Sequence, residues 1–306
     1  MAKYRANGKF LLSGEYLVLQ GARALALPLK LGQSLEVKTI DIQEGMIHWD
    51  AYTPRGFWFA AIFSKFGFTV HASDDMEKAD NLCKIFKEIK SLNHNILQDK
   101  NDYFFTTKLE FDSQWGLGSS STLISLLAQW ASVNPYELLK RTMGGSGYDI
   151  ACATTSQPII YHLKNGYPVV EKADFHPAFA DKLYFVYQGY KQSSGKEVKS
   201  FKERAKTTDF SKEIAEISEI TDGLTKTTSF DEFCSLLTRH EAIMSKVLEQ
   251  SSLKTQYPDF QGVIKSLGAW GGDFFLAATE LSEKEVASYF NSKGLKTILK
   301  YNEIVL

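Results

Sequence analysis

The sequence predicts a mixed α+β protein, and three observations support this fold class. Short apolar runs typical of strands dominate the first sixty residues, at 3–18, 24–28, 34–40 and 46–59. Helical spacing of apolar residues appears at 81–97 and returns over 196–249. The 306 residues are enough to bury a large core, either as two domains or as one large domain.

Composition limits the kinds of partner that the chain can have. Thirty-five basic and 36 acidic residues leave a net charge of -1, so no overall charge attracts nucleic acid or an anionic membrane. The three cysteines are too few and too scattered for a disulfide framework or a zinc site. No apolar run approaches the length of a membrane span. We therefore expect a soluble cytoplasmic protein in which any binding of phosphate depends on a local site.

Near the N-terminus, two strand-like runs flank the tight corner Ser13-Gly14-Glu15. Lys9 and Glu15 are charged residues in an otherwise apolar context, and charges near a core are usually paired or bind a ligand. The alternative is a rim lysine and a turn glutamate. Residues 46–59 are aromatic and hairpin-like, and a core role is favoured there over stacking on a ligand.

The most informative stretch is a strand, a glycine-serine turn and a helix. The strand covers Tyr103–Phe111, the turn is Gly116-Leu117-Gly118-Ser119-Ser120-Ser121, and an apolar helical face continues to Trp130. Glycines let the backbone approach a ligand closely, and the first turn of a helix offers unpaired N–H groups. This combination predicts an anion site, most naturally for phosphate. A plain turn with a serine or threonine cap is the alternative.

A second polar position follows a glycine-rich loop. Asn134-Pro135 is typical of a helix start, and that helix should end at Gly144–Gly147. Asp149 comes directly afterwards and precedes small apolar residues. A carboxylate there could accept a proton from a substrate hydroxyl or hold a cation. The alternative is an aspartate that caps the next helix.

The remainder of the chain contains a plausible boundary at Asn165-Gly166 and further strands and helices. A polar loop at 188–195 could bind an anionic or hydroxylated substrate, and a solvated surface loop is the alternative. The elements expected after the boundary are a strand at 182–187, helices at 196–206, 211–225 and 230–249, a strand–glycine turn–strand unit at 263–278, a helix at 282–292, and strands at 296–299 and 304–306.

Three glycine-rich segments in this order resemble the signature motifs of the GHMP kinase family. The first glycine segment (residues 7–15) contains Asn-Gly-Lys and Ser-Gly-Glu, and the second (116–121) is similar to the ATP-phosphate loop. The third (268–273) reads Gly-Ala-Trp-Gly-Gly-Asp. Two further segments, Gly145–Asp149 and Lys191–Ser194, resemble segments of phosphomevalonate kinases. The sequence motif Gly-Tyr-Asp-Ile-Ala looks like that of a distinct bacterial branch of the family.

The resemblance implies a two-domain α+β fold and an ATP- and Mg²⁺-dependent kinase. The first domain (1–165) would be like domain 2 of ribosomal protein S5 and bind nucleotide, and the second (166–306) would be ferredoxin-like. The implied acceptor is mevalonate or phosphomevalonate. A kinase for a sugar or amino-acid hydroxyl and a non-catalytic nucleotide-binding protein are the alternatives, and a homodimer is left open.

The resemblance also implies roles for individual residues. Asp149 would be the catalytic carboxylate that faces the acceptor hydroxyl, and Lys9 would pair with it and steady the transferred phosphoryl group. Ser120 would reach Mg²⁺. The ATP phosphates would bind to Gly116, Leu117, Gly118, Ser119, Ser120 and Ser121, and the substrate side would be formed by Glu15, Gln192, Ser193, Ser194, Gly271 and Gly272. Trp270 departs from the family pattern, which has a glycine there.

Overall fold

The computed structural model describes residues 1–190, 194–268, 270 and 272–306, and it has the mixed α+β architecture predicted. Contacts group the chain into two compact units. The first contains Met1–Gly8, Leu31–Ser113 and Leu117–Thr154, and the second contains Lys9–Lys30, Gln114–Gly116 and Thr155–Leu306. The units follow contacts rather than chain order, and the expected domain division after residue 165 stays a prediction.

The strands and helices of the described residues are as follows. The strands are β1 Ala2–Leu11, β2 Ala24–Ile40, β3 Met46–Thr53, β4 Gly56–Ser64, β5 Val70–Ser73, β6 Asp102–Leu109, β7 Ile159–Lys164, β8 Tyr167–Lys172, β9 Leu183–Tyr187, β10 Val263–Ser266, β11 Phe274–Ala278 and β12 Ile298–Lys300. The helices are α1 Met76–Leu92, α2 Ser119–Ala131, α3 Pro135–Thr142, α4 Tyr148–Ala153, α5 Ser194–Arg204, α6 Ser211–Lys226, α7 Phe230–Leu248, α8 Glu283–Ser292 and α9 Tyr301–Ile304.

In the first unit, the strand order is β5-β4-β3-β6-β2. Strands β3 and β6 run parallel, and the other neighbours in this order are antiparallel. The predicted hairpin at 46–59 is confirmed as β3 and β4. Helices α1 and α2 bury their apolar faces with the sheet in one core, as expected for amphipathic helices.

Aromatic rings fill the centre of that core. Phe86 on α1 is fully buried and contacts Trp49, Phe105 and Trp130 with ring centroids 5.2–6.3 Å apart. Edge-to-face arrangements dominate these contacts, which is the geometry that aromatic quadrupoles favour. Trp49 and Phe59 are therefore buried in the core, as predicted for this aromatic segment, whereas Phe57 is exposed.

The second unit contains its own antiparallel sheet with the order β10-β11-β9-β12. It also contains the hairpin of β7 and β8, to which residues 24–26 of β2 pair. Tyr257, Phe260, Phe275 and Phe290 pack in a core beneath the four-stranded sheet. Strands β10 and β11 flank the third glycine segment, as the strand–glycine turn–strand pattern predicted.

Local capping signals explain two element boundaries. Asn134 caps α3 by accepting from the Tyr136 and Glu137 N–H groups, with Pro135 at the first helical position, as predicted. The expected strand at 304–306 is wrong, because α9 occupies Tyr301–Ile304. The Val305 N–H donates to the Tyr301 carbonyl oxygen at 2.9 Å, which closes a helical turn, and the Lys300 N–H donates to the Glu303 carboxylate at 3.4 Å. Val305 pairs with Leu29 as an isolated bridge.

We expect Phe86→Ala to lower the free energy of unfolding by about 3–5 kcal/mol, because the remaining cavity would lie among rigid aromatic neighbours. The matched control is Phe57→Ala, since Phe57 is 56% exposed and its removal should change stability by about 0.5 kcal/mol or less. Urea denaturation of both variants measures the difference. Equal losses in the two variants would contradict this description of the core.

Candidate functional site

The second glycine segment leads into the N-terminus of α2. Gly116 and Gly118 have φ values of 67° and 97°, a left-handed conformation that glycine adopts without strain. Gly118 is the N-cap residue, and no side chain of a described residue caps the helix there. The first-turn N–H groups of a 13-residue helix therefore remain open to an anion.

The four hydroxyls at the start of α2 divide into two kinds. Ser121 donates to the Gly118 carbonyl oxygen, and Thr122 Oγ1 lies 2.6 Å from Gln33 Oε1, so both are used internally. Ser120 is exposed, and its hydroxyl forms no hydrogen bond with any described residue. Ser119 is half-buried. Ser120 is thus the hydroxyl that is best placed for an external ligand.

Asp149 lies in the first turn of α4, a short helix that packs against α2 within the first unit. The N-cap residue of α4 is Gly147, with φ of 91°, so the alternative reading of Asp149 as the helix cap is wrong. The half-buried carboxylate accepts from the Ile150 N–H at 3.1 Å. Burial raises the pKa of nearby Tyr136 to about 12, and Cys152 and Asp149 add to this shift.

In the second unit, Gly116 lies between a lysine and an aspartate. Lys9 Nζ donates to the Gly116 carbonyl oxygen at 3.1 Å. On the other side, a Cβ placed on Gly116 would lie 2.2 Å from Asp273 Oδ2, so only glycine fits. The pairing of Lys9 with Asp149, which the family resemblance implied, stays a prediction.

Asp273 is a site residue that the sequence reasoning missed. It ends the third glycine segment, is 9% exposed, and adopts a φ of 54°. Its N–H donates to the Tyr190 carbonyl oxygen at 3.1 Å, and its own carbonyl accepts from the Gln188 N–H at 2.8 Å. The Gly-Gly-Asp motif drew attention to this position in the sequence, but nothing in the sequence indicated that the Asp273 carboxylate lies against Gly116.

Glu15 is 1% exposed and lies within a polar cluster of the second unit. Lys265 Nζ donates to Glu15 Oε1 at 2.6 Å, and His240 Nε2 lies 3.2 Å from Glu15 Oε2. Burial raises the pKa of Glu15, although the Lys265 charge opposes the shift. The expectation that charged residues in this context are paired therefore holds for Glu15, and its contact with substrate stays a prediction.

The remaining predicted substrate residues are only partly described. Gln192, Ser193 and Gly271 lie outside the described residues. Ser194 is the first residue of α5, and the carbonyl of Gly272 accepts from Gln188 Nε2 at 3.0 Å. Trp270 is 2% exposed, and its backbone N–H donates to Tyr16 Oη at 3.4 Å.

Among the described residues, no group of three or more histidine, cysteine, aspartate or glutamate side chains could hold a metal ion. Mg²⁺ is commonly held by one or two protein oxygens together with phosphates and water, so the exposed Ser120 hydroxyl fits such an ion. In the same part of the chain, no helix has the length and apolarity needed to cross a bilayer.

Solved structures with a similar fold include kinases of small metabolites. The mevalonate kinase of Methanococcus jannaschii is similar with a TM-score of 0.71 and 18% identity, over 97% of this chain and 96% of that one. The Streptococcus pneumoniae phosphomevalonate kinase in complex with phosphomevalonate and AMPPNP has a TM-score of 0.67 and 16% identity, over 98% and 100%. Lactococcus lactis galactokinase has a TM-score of 0.64 and 12% identity, over 97% and 92%.

These neighbours are GHMP kinases, so the α+β GHMP kinase fold predicted from the three glycine segments is confirmed. No protein-family model and no curated protein sequence matches the chain. At such low sequence identity, the similarity is one of fold.

We expect Gly116→Ala to lower the free energy of unfolding more than Gly166→Ala, by about 1–3 kcal/mol. Both glycines have positive φ, but a Cβ on Gly166 meets nothing within 4 Å, whereas one on Gly116 meets the Asp273 carboxylate. Adding Asp273→Ala to Gly116→Ala should recover part of the loss. Urea denaturation measures all three variants, and equal losses for the two single variants would contradict the close approach of Asp273.

Proposed function

We propose that this chain is a GHMP-type kinase that uses ATP and Mg²⁺ to phosphorylate a hydroxyl or phosphate of mevalonate or phosphomevalonate. The observation that carries the proposal is the open N-terminus of α2 behind Gly116 and Gly118, with the exposed Ser120 hydroxyl in its first turn. Such a helix end offers N–H donors and a positive dipole to a phosphate group.

The second glycine segment would hold the phosphates of ATP. The backbone N–H groups of Gly116–Ser121 would contact phosphate oxygens, and Ser120 would contribute an oxygen to Mg²⁺. When bound, ATP would supply the phosphoryl group, and Mg²⁺ would offset its negative charge. Glycine at 116 is required on independent grounds, because a side chain there would collide with Asp273.

The chemistry would fall to a carboxylate and a lysine. Asp149 would orient the acceptor hydroxyl and take its proton, which is the function of a general base in phosphoryl transfer. Lys9 would place its ammonium group near the transferred phosphoryl oxygens. Its bond to the Gly116 carbonyl supports this assignment, because it keeps the ammonium group beside the second glycine segment.

The proposal also assigns the residues that would contact the phosphoryl acceptor. Gln192, Ser193, Ser194, Gly271 and Gly272 would contact the acceptor, and the buried Glu15 would act beside them by holding the first glycine segment. The fold shared with mevalonate and phosphomevalonate kinases supports this acceptor class. The chain would phosphorylate this acceptor in the cytoplasm. We also propose that it belongs to the bacterial branch of the family suggested by the Gly-Tyr-Asp-Ile-Ala motif.

A sugar kinase is the second candidate function, because galactokinase shares the fold over 97% of this chain. A non-catalytic nucleotide-binding protein was suggested by Trp270, where a glycine was expected. The burial of Trp270 weakens that suggestion, since an indole that is 2% exposed has little surface left to contact a ligand.

The direct test is ADP release from purified protein with MgATP and a panel of mevalonate, phosphomevalonate, homoserine and free sugars. We expect turnover with mevalonate or phosphomevalonate at a rate on the order of 1–100 per second, as is typical of kinases. Turnover only with a sugar would favour the second candidate. Nucleotide binding without turnover of any acceptor would contradict the proposed acceptor class.

We expect Asp149→Asn to lower kcat at least about 100-fold, because the amide cannot accept the hydroxyl proton. ATP affinity should stay within about twofold, since the proposed phosphate contacts come from the second glycine segment. Asp80→Asn on α1 is the matched control, as Asp80 is exposed in the same unit. Steady-state kinetics and calorimetric titration with MgATP measure both effects, and an active Asp149→Asn variant would remove Asp149 from the mechanism.

A further inference from the structure

Four ionisable side chains of the second unit form a buried group that the proposed chemistry does not use directly. We call Glu15, His240, Glu241 and Lys265 the Lys265 cluster; each is 5% exposed or less. Lys265 Nζ lies 2.6 Å from Glu15 Oε1 and 3.6 Å from Glu241 Oε1. Glu15 Oε2, Glu241 Oε1 and His240 Nδ1 form no hydrogen bond with any described residue.

The charges of the Lys265 cluster do not balance if both carboxylates are ionised. His240 Nε2 accepts from the Gly14 N–H at 3.0 Å, which requires an unprotonated nitrogen. Burial, and then the Lys265 charge, hold the pKa of His240 well below its ordinary value, so the imidazole is neutral. One lysine and two carboxylates would then leave an uncompensated negative charge away from water, which is costly.

One bound proton removes this excess charge, and both carboxyl groups are candidates for it, because burial raises the pKa of Glu15 as well as that of Glu241. Burial raises the pKa of Glu241 to about 7; the Lys265 charge opposes the shift and the Glu15 charge adds to it. The groups that face Glu241 are Lys265 and Ser266 from β10 and Glu15 from the first glycine segment, with His240 adjacent on α7. Near neutral pH, the Lys265 cluster therefore exchanges between a protonated state of zero net charge and a deprotonated state of net charge -1.

The Lys265 cluster is attached to the first and third glycine segments. His240 holds the Gly14 N–H, and Glu15 is followed by Tyr16, whose hydroxyl accepts from the Trp270 N–H. Lys265 also donates to the Ser266 carbonyl oxygen at 2.7 Å, at the end of the strand that leads into the third segment. Trp270 and Asp273 thus lie a few residues beyond a buried ionic anchor.

We propose that the Lys265 cluster positions Trp270 and Asp273 of the third glycine segment, and that it does so in a charge-balanced state with one shared proton. Asp273 contacts Gly116, whose carbonyl holds Lys9, so a displaced Asp273 would disturb the second glycine segment. The consequence for nucleotide binding rests on the proposed function, whereas the positioning itself does not. These four residues are positioning residues, since none of them touches a reacting atom in this proposal.

The direction of the pH effect follows from the raised pKa of Glu241. A carboxyl whose pKa is higher in the folded protein than in the unfolded chain stabilises the fold fully below the unfolded value of about 4.5. That contribution is lost as pH rises through about 7, where Glu241 ionises. The third glycine segment should therefore be well held at about pH 6 and loosened at about pH 8.5.

Hydrogen exchange of the full chain tests the positioning without any ligand. The key variant is Glu241→Gln, which imitates the protonated carboxyl, and Glu219→Gln on the exposed face of α6 is the matched control. At about pH 8.5, we expect the Trp270 and Asp273 amides to exchange about tenfold faster in the wild type than in Glu241→Gln. At about pH 6 the two proteins should agree, and Glu219→Gln should follow the wild type throughout.

Amides of the β9–β11 pairing, such as that of Leu276, serve as an internal reference. An equal change at those amides and at Trp270 and Asp273 would assign the cluster to global stability alone and overturn the proposal. So would a wild-type to Glu241→Gln ratio that is the same at both pH values. Comparing two proteins at one pH cancels the intrinsic pH dependence of exchange.

The second measurement is the KM for MgATP of the same two proteins. We expect the wild-type KM to exceed that of Glu241→Gln about tenfold at about pH 8.5 and to equal it at about pH 6, with kcat changed less. If the KM ratio is the same at both pH values while the exchange ratio changes with pH, the link to nucleotide binding is overturned. If no nucleotide binds at either pH, the proposed function fails, and the exchange ratio alone still decides whether the cluster positions the segment.

Discussion

The ion pair between Lys265 and Glu15 joins β10 to the first glycine segment across 250 residues of the chain, at a place that water does not reach. A buried ion pair is seldom a strong source of net stability, because removing two charges from water costs about as much as their attraction returns. Its value here is geometric. The pair fixes where β10 ends relative to Gly14 and Tyr16, and the hydrogen bond from the Trp270 N–H to Tyr16 depends on that placement.

The glycine segments place open backbone donors where bulky side chains would exclude a ligand. No side chain of a described residue caps α2 at Gly118, and Gly116 allows Asp273 to approach closely. Lys9 adds a positive charge at the Gly116 carbonyl. This is the type of arrangement that phosphoryl transfer needs, because the reaction depends on positioning and charge neutralisation more than on covalent chemistry.

Local sequence signals predicted much of the fold. Asn134 and Pro135 marked the start of α3, the aromatic hairpin at 46–59 was recognised, and the glycine turn was placed directly before α2. Each of these features depends on residues within about four positions of one another, where backbone propensity and capping act directly. The strand expected at 304–306 was wrong, because apolar composition alone does not distinguish a strand from the short helix that Glu303 stabilises.

The sequence by itself determined the α+β class, most of the strands and helices, the three glycine segments and the family resemblance that named the fold. Only the tertiary structure decided that Asp273 lies against Gly116, that Glu15 is buried with Lys265 rather than exposed in a turn, and that Trp270 is packed inside. The physical reason is distance along the chain. Contacts between residues separated by more than a hundred positions are selected by packing of the whole unit and by the desolvation of charges, and neither leaves a mark in the local pattern.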